Sequence, residues 1–276
     1  MLKWVACVAV LVGTALCVEG AIIQFDDFSS TAGLALNGDA AKVNTADGWV
    51  LQLHTGDPWM KKGSAYWETP VHVGVFNAAF RFRINSPDIG PTDPEGEQGA
   101  DGFVFAVQAS AAGANSLGEA GDNLGYKGVS PSVAVEFDIW KNVSDARNHD
   151  PSSNHLGILV NGVVDHGVGA PWTKSVATRF DDTGIWYAWI DYDGATLSVR
   201  ASQSSDRPAE ADLTRAMDIP SILGRESGYV GFAGASGSGL SSNRILSWTV
   251  VPEPSGIGLM FGLGAALAIR RKKRAG

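Results

Sequence analysis

An all-β fold is predicted for this 276-residue chain by its composition, its hydrophobic period and its turn dipeptides. Charged residues make up only 18%, while Gly reaches 34 and Trp 9, a balance that favours strands and turns over helices. Apolar side chains recur at every second position in WVLQLH (49–54), FNAAFRFRI (76–84) and VAVEFDI (133–139), the period of a strand. Asn161-Gly162 and Asp193-Gly194 stand between such runs, and both dipeptides suit a two-residue hairpin turn. The length allows one large β domain or two small ones.

Residues 1–20 combine Lys3, an apolar run from Trp4 to Val18 and the small pair Gly20-Ala21, the pattern of a secretory signal peptide. Both cysteines, Cys7 and Cys17, lie in this segment, so a chain cut after Gly20 has no disulfide. From Ala21 the strands begin with IIQFDDF (22–28), followed by a Gly/Ala/Asn-rich loop to about Ala46. WVLQLH, KKGSAYWETPV and FNAAFRFRI come next. In the last of these Phe80, Phe82 and Ile84 alternate with Arg81 and Arg83, one face for the core and one for water. A Pro/Gly/acid loop at 86–99 leads to Gly99-Ala100-Asp101-Gly102 and the strand FVFAVQ, and a second Gly/Asn-rich loop spans 111–128. After the 133–162 segment, a hairpin is expected at Asn161-Gly162, and WYAWIDY pairs with ATLSVRAS across Asp193-Gly194. Residues 207–217 could form a short helix. YVGFA (229–233) and RILSWTV (244–250) bracket the loop GASGSGLSSN and end the β region.

The segment 133–162 holds most of the chemistry. Val133, Val135, Phe137 and Ile139 share one strand face; Glu136 and Asp138 share the other with Trp140, about 7 Å separating the two carboxylates along the strand. The loop beyond offers Asn142 and Asp150, and the next strand opens with His155. Carboxylates with an imidazole suit a transition ion such as manganese; carboxylate, amide and backbone oxygens suit calcium. On that basis Glu136 and His155 serve the transition ion, Asn142 and the Trp140 carbonyl serve calcium, and Asp138 and Asp150 bridge both. The alternative is a solvated acidic loop with an ordinary strand-end histidine.

The run 133–138, with Asn142, Asp150-Pro151 and His155-Leu156-Gly157-Ile158, resembles the metal-binding segment of the legume-type (L-type) lectins. The resemblance implies a two-sheet antiparallel β-sandwich, a concanavalin-like jelly roll, that binds sugar beside Ca2+ and Mn2+. It implies the ligand roles above, with the Asn142 amide nitrogen donating to a sugar hydroxyl and the Trp140 ring stacking on the sugar. The loop from Asn142 to Asp150 is longer than in plant members, which leaves Asp145 and His149 as further ligand candidates. Ala100-Asp101-Gly102 resembles the family motif whose aspartate binds sugar through a cis Ala–Asp peptide; read without the family it is a turn before a strand. Gly121-Asp122-Asn123-Leu124-Gly125 resembles the second sugar loop, with Gly121 donating a backbone N–H. Ser238, Gly239 and Leu240 occupy the fourth. The resemblance covers residues 22–250.

Six of the 21 basic residues and two of the 29 acidic ones lie outside 21–251, leaving 15 against 27, a formal charge of −12 on the folded part. An acidic body disfavours nucleic acid. The tail at 251–276 opens Val251-Pro252-Glu253-Pro254-Ser255, continues with an apolar run at 256–269 and closes RRKKRAG. It resembles the PEP-CTERM sorting signal of Gram-negative bacteria, which an exosortase processes near Pro-Glu-Pro. The apolar run is shorter than the roughly 20 residues of a full span, which suits transient insertion in the inner membrane with the basic end in the cytoplasm. A permanent transmembrane helix is the alternative. Glucanases of this architecture carry E-x-D-x-x-E on one strand, for nucleophile and acid; Glu136 and Asp138 are followed by Trp140 and Lys141, so the third carboxylate is missing. The expectation is a non-enzymatic carbohydrate-binding protein, exported to the cell surface or beyond, with a glycan as partner. The other readings are a surface or matrix protein without sugar binding on the same fold, and a glucanase-like hydrolase.

Overall fold

The computed structural model describes residues 23–55, 59–87, 89–143 and 148–253. The expected signal peptide, the apolar and basic parts of the tail and Asp145 lie outside them. Among the described residues there are sixteen strands. They are β1 (Ile23–Phe25), β2 (Leu34–Gly38), β3 (Ala41–Thr45), β4 (Gly48–His54), β5 (Lys62–Trp67), β6 (Val71–His72), β7 (Phe76–Asn85) and β8 (Gly102–Gln108). The rest are β9 (Ser132–Asp138), β10 (His155–Val160), β11 (Thr173–Ser175), β12 (Trp186–Tyr192), β13 (Thr196–Ser202), β14 (Leu213–Ala216), β15 (Ser227–Ala235) and β16 (Ser242–Pro252).

They form two antiparallel sheets, the expected sandwich. One runs β14-β13-β12-β7-β16-β4-β3, with β1 also on β16; the other runs β11-β10-β9-β8-β15-β5-β2, with β6 also on β15. The core lies between them and is rich in aromatic rings. Phe82 is fully buried, its ring centroid 5.0 Å from those of Phe103 and Phe137 and 5.8 Å from that of Phe180. The first comes from β8, the second from β9 and the third from a loop, so one side chain ties both sheets. Phe82→Ala is expected to cost about 3–5 kcal/mol through transfer loss and cavity, read as a lower denaturation midpoint at unchanged slope.

Alternation on β7 is as expected, with Phe76, Ala78, Phe80, Phe82 and Ile84 buried and the intervening residues half-buried. The outward Arg83 is held on Asp47 by two 2.9 Å bonds, from Nε and from one terminal nitrogen. The Asp193-Gly194 hairpin forms between β12 and β13. At Asn161-Gly162 both residues take positive φ, 57° and 69°, but the returning strand is reduced to one bridge, Val160 to Val163.

Four expectations are corrected. The loop drawn from the first strand to Ala46 contains β2 and β3, which find partners in β5 and β4. Of the described residues of the first expected strand, Ile23–Phe25 pair, against β16. The helix suggested at 207–217 is instead strand β14, and a short helix follows at Ile219–Leu223. Asp218 caps it by accepting from the Ser221 N–H, and Pro220 sits in its first turn. The last strand runs to Pro252, beyond Val250, because β7 continues to pair with it as far as Phe76. Among the described residues no helix is long and apolar enough to cross a membrane.

Candidate functional site

β9 carries Glu136 and Asp138 on the sheet face turned away from the sandwich core. The antiparallel register sets Gly157 and Val104 beside Glu136, and His155 and Gly102 beside Asp138. Strand alternation thus delivers His155 to the two carboxylates. This face is dry: Glu136 is 1% exposed, Asp138 2% and His155 0%. Leu124, Tyr126, Val129 and Val164 pack over it with Val104, Ala106 and Ala134, a second apolar layer outside the sandwich.

The donors converge. Glu136 Oε1 lies 3.2 Å from His155 Nε2 and 2.6 Å from His166 Nε2, and Asp150 Oδ1 lies 3.7 Å from each imidazole. Asp138, Asp150 and His155 form a second set with ligand atoms within 4.8 Å of one another. The His155 Nδ1, 3.0 Å from the Ser152 carbonyl, donates its proton there and leaves the Nε2 lone pair for a cation. Glu136 Oε1, His155 Nε2 and Asn142 Oδ1 are buried without hydrogen-bond partners. Buried polar atoms are rarely left so, and carboxylate, imidazole and amide donors in this arrangement fit divalent cations.

The electrostatics point the same way. Burial pushes the Asp138 carboxyl well up, and the charges of Asp150 and Glu136 add to it. Asp150 is raised to about 6 by burial, His155 opposing and Glu136 adding. Burial acts upward on Glu136 too, but the imidazoles of His166 and His155 overcome it and hold this carboxyl at about 2. For His166 burial acts downward, and the Glu136 carboxylate outweighs it, so its value is raised.

Contacts distant in sequence brace the loop. Glu95 accepts from Lys141 Nζ at 2.6 Å and from the Ser153 N–H at 2.9 Å and hydroxyl at 2.7 Å, clasping both ends. The Lys141 and Ser153 bonds hold the Glu95 carboxyl down at about 2. One Arg179 terminal nitrogen donates to the Ile139 carbonyl at 3.2 Å and the other to that of Ser153 at 3.3 Å. Trp140 N–H donates to Asp138 at 2.7 Å and Asn142 N–H to Asp150 at 2.6 Å, leaving each carboxylate its other oxygen.

Beside this cluster opens a cleft of about 360 Å3 lined by Asp101, Gly121, Trp140, Asn142, Ser238 and Gly239, together with Met60, Ala100, residues 120, 122 and 123, and Gly237. The Ala100–Asp101 peptide is cis. Asp101 is 4% exposed, and its Oδ2 is buried without a partner. Burial, with Asp122 adding, pushes this carboxyl up to about 8 against the pull of the Gly237 N–H. A Cβ on Gly237 would stand 3.0 Å from Asp101 Oδ2, so the carboxylate would have to shift to admit one. Leu240 is buried at 8% exposure and does not line the cleft.

His149, a candidate ligand by sequence, instead pairs with Asp165 at 2.5 Å. His166, which sequence reasoning missed, sits in the cluster; its one local signal is a histidine just after the Asn161-Gly162 turn. Gly157 makes room for it. A Cβ there would lie 2.3 Å from Glu136 Oε1 and 2.8 Å from His166 Cε1. Gly157→Ala is expected to displace Glu136 at a cost of about 1–3 kcal/mol and to lower bound metal, measured by elemental analysis after dialysis.

Three comparisons bear on this geometry. The legume lectin domain family matches residues 22–254. The basic agglutinin of Psophocarpus tetragonolobus is 32% identical over 213 residues, covering 69% of this chain and 78% of that protein. The L-type lectin-domain containing receptor kinase VIII.1 of Arabidopsis thaliana is 29% identical over 263 residues, 90% of this chain; the chain spans only 34% of that protein. Among solved structures, basic winged bean lectin with Tn-antigen aligns with a TM-score of 0.63 at 27% identity, over 85% of this chain and 100% of that one.

Proposed function

This chain belongs to the legume lectin domain family, and on that premise we propose that it is a non-enzymatic carbohydrate-binding protein whose sugar cleft is shaped by adjacent calcium and transition-metal sites. The observation that carries the reading is the meeting of Asp101, Asn142 and Trp140 in one cleft beside a buried carboxylate–histidine cluster. Asp101 accepts from two neighbouring sugar hydroxyls, Asn142 donates its amide N–H, and the Trp140 ring covers the C–H face of a pyranose. Gly121, Ser238 and Gly239 supply loop backbone around it. Glu136 and His155 would hold the transition ion, Asn142 and the Trp140 carbonyl would hold calcium, and Asp138 and Asp150 would serve both. Bound there, the ions would supply positive charge that favours the ionised form of the buried aspartates and would fix the Asn142 loop.

The same proposal includes export through the leader at 1–20 and sorting by an exosortase through the tail, in a Gram-negative bacterium, with the protein reaching the cell surface or medium. That part rests on the sequence of the ends alone. A glycan array probed with the full chain, with and without chelator, tests the core of the reading. Glycan binding that chelator abolishes is expected; a bare array under metal-replete conditions would sink it.

A further inference from the structure

The ligand set read from the family resemblance contains one imidazole. The fold brings in a second, from outside that segment. His166 lies in the turn region after β10 and is anchored by its own N–H, which donates to the Asn148 carbonyl at 3.0 Å. Its side chain is 1% exposed. His166 Nε2 and His155 Nε2 face the same two oxygens, Glu136 Oε1 at 2.6 and 3.2 Å and Asp150 Oδ1 at 3.7 Å each. The rings stand edge to face, 86° apart with centroids 5.6 Å apart, so their nitrogens converge without stacking.

A histidine placed only to support Glu136 would be aligned with it as a hydrogen bond. Neither ring nitrogen of His166 has a hydrogen-bond partner, and neither has Glu136 Oε1 or His155 Nε2. Three donor atoms, Glu136 Oε1, His155 Nε2 and His166 Nε2, buried without partners and gathered around one point, are what a cation site leaves. The spacing agrees. Metal–ligand bonds of about 2.1 Å put neighbouring donors about 3.0 Å apart in an octahedron and about 3.4 Å apart in a tetrahedron, within the spread of the four distances. Gly157 is the other half of the arrangement, because any Cβ there would fill the space His166 Cε1 occupies, at 2.8 Å.

We propose that His166 is a ligand of the transition ion, so that this site holds two imidazoles with Glu136 and selects zinc or cobalt over manganese. The inference rests on the metal reading above and deepens it. Manganese suits carboxylate, carbonyl and water ligands, whereas each added imidazole favours zinc and its neighbours.

The test uses the full untagged chain, stripped of metal, saturated with calcium and loaded with less than one equivalent of Cu(II). Pulsed EPR counts coordinated imidazoles from their remote nitrogens. Two in the wild type and one in His166→Asn are expected. In competition titrations His166→Asn is expected to weaken zinc at least about tenfold while changing manganese far less. One imidazole in the wild type overturns the inference and leaves the metal reading standing; no bound ion overturns both. The wild-type count decides the matter even if His166→Asn fails to fold.

Discussion

Stripping metal from the full chain is expected to lower its melting temperature by about 10–20 °C, and by more at pH 8 than at pH 5. A ligand at a hundredfold excess over its dissociation constant contributes about 2.7 kcal/mol, so two ions contribute about 5, and each kcal/mol moves the midpoint of a domain this size by about 2–4 °C. The pH dependence follows from the buried aspartates. Asp138, Asp150 and Asp101 are all held above their ordinary range, well above it, to about 6 and to about 8 respectively, by burial first and then by neighbouring carboxylates: Asp150 and Glu136 on Asp138, Glu136 on Asp150, and Asp122 on Asp101. Unfolded, they ionise near 4. As pH rises from there through their folded values, the native state holds protons that the unfolded chain has released, and stability falls. His166, raised by Glu136 against its burial, acts in the same direction: its contribution is complete below the ordinary histidine value and is lost as pH rises through the folded one. Glu136, held at about 2, contributes a constant amount from pH 5 upward. Bound cations stabilise the ionised aspartates and so cancel the loss. Calorimetric scans from pH 5 to 8, with metals and with chelator, read this directly. Superimposable scans at every pH would refute the metal assignment.

Asp101→Asn is expected to abolish sugar binding while leaving the fold intact. Two charge-assisted bonds are worth about 1.5–3 kcal/mol each, so the loss is at least about a hundredfold in affinity. The amide keeps the size of the carboxylate and carries no charge, and the site penalises charge: burial and Asp122 raise the acid to about 8. Metal-free Asp101→Asn is therefore expected to be more stable than metal-free wild type at pH 8, by a few kcal/mol at most, with the difference gone near pH 4. Asp150 also contributes to raising Asp101. A cation that neutralised Asp150 would thus favour the ionised form of Asp101, an electrostatic route from the proposed metal site to the cleft. Retention of wild-type affinity by Asp101→Asn, for a glycan identified on the array, would place the site elsewhere.

What the sequence by itself determined was local in origin. Period-two alternation in 76–84 and 133–139 is written in adjacent residues, so the core faces of β7 and β9 and the all-β class were legible. The Asp193-Gly194 hairpin was legible for the same reason. The proposed ligands Glu136, Asp138, Asn142, Asp150 and His155 lie within twenty residues, close enough for spacing and family resemblance to name them. Tertiary structure alone decided the rest. β2 and β3 look like loop until partner strands pair with them. The Glu95 clasp joins residues 46 and 58 positions apart, and His166 enters the cluster from beyond a turn that sequence marked only as a hairpin. Nor does alternation reveal that the second face of β9 is dry, since a strand with one polar face reads as half solvated. Burial of Glu136 and Asp138 comes from a loop layer that the sheet does not encode. Contacts of that kind depend on where separate segments stop and which space a glycine leaves open, and no window of neighbouring residues contains that information.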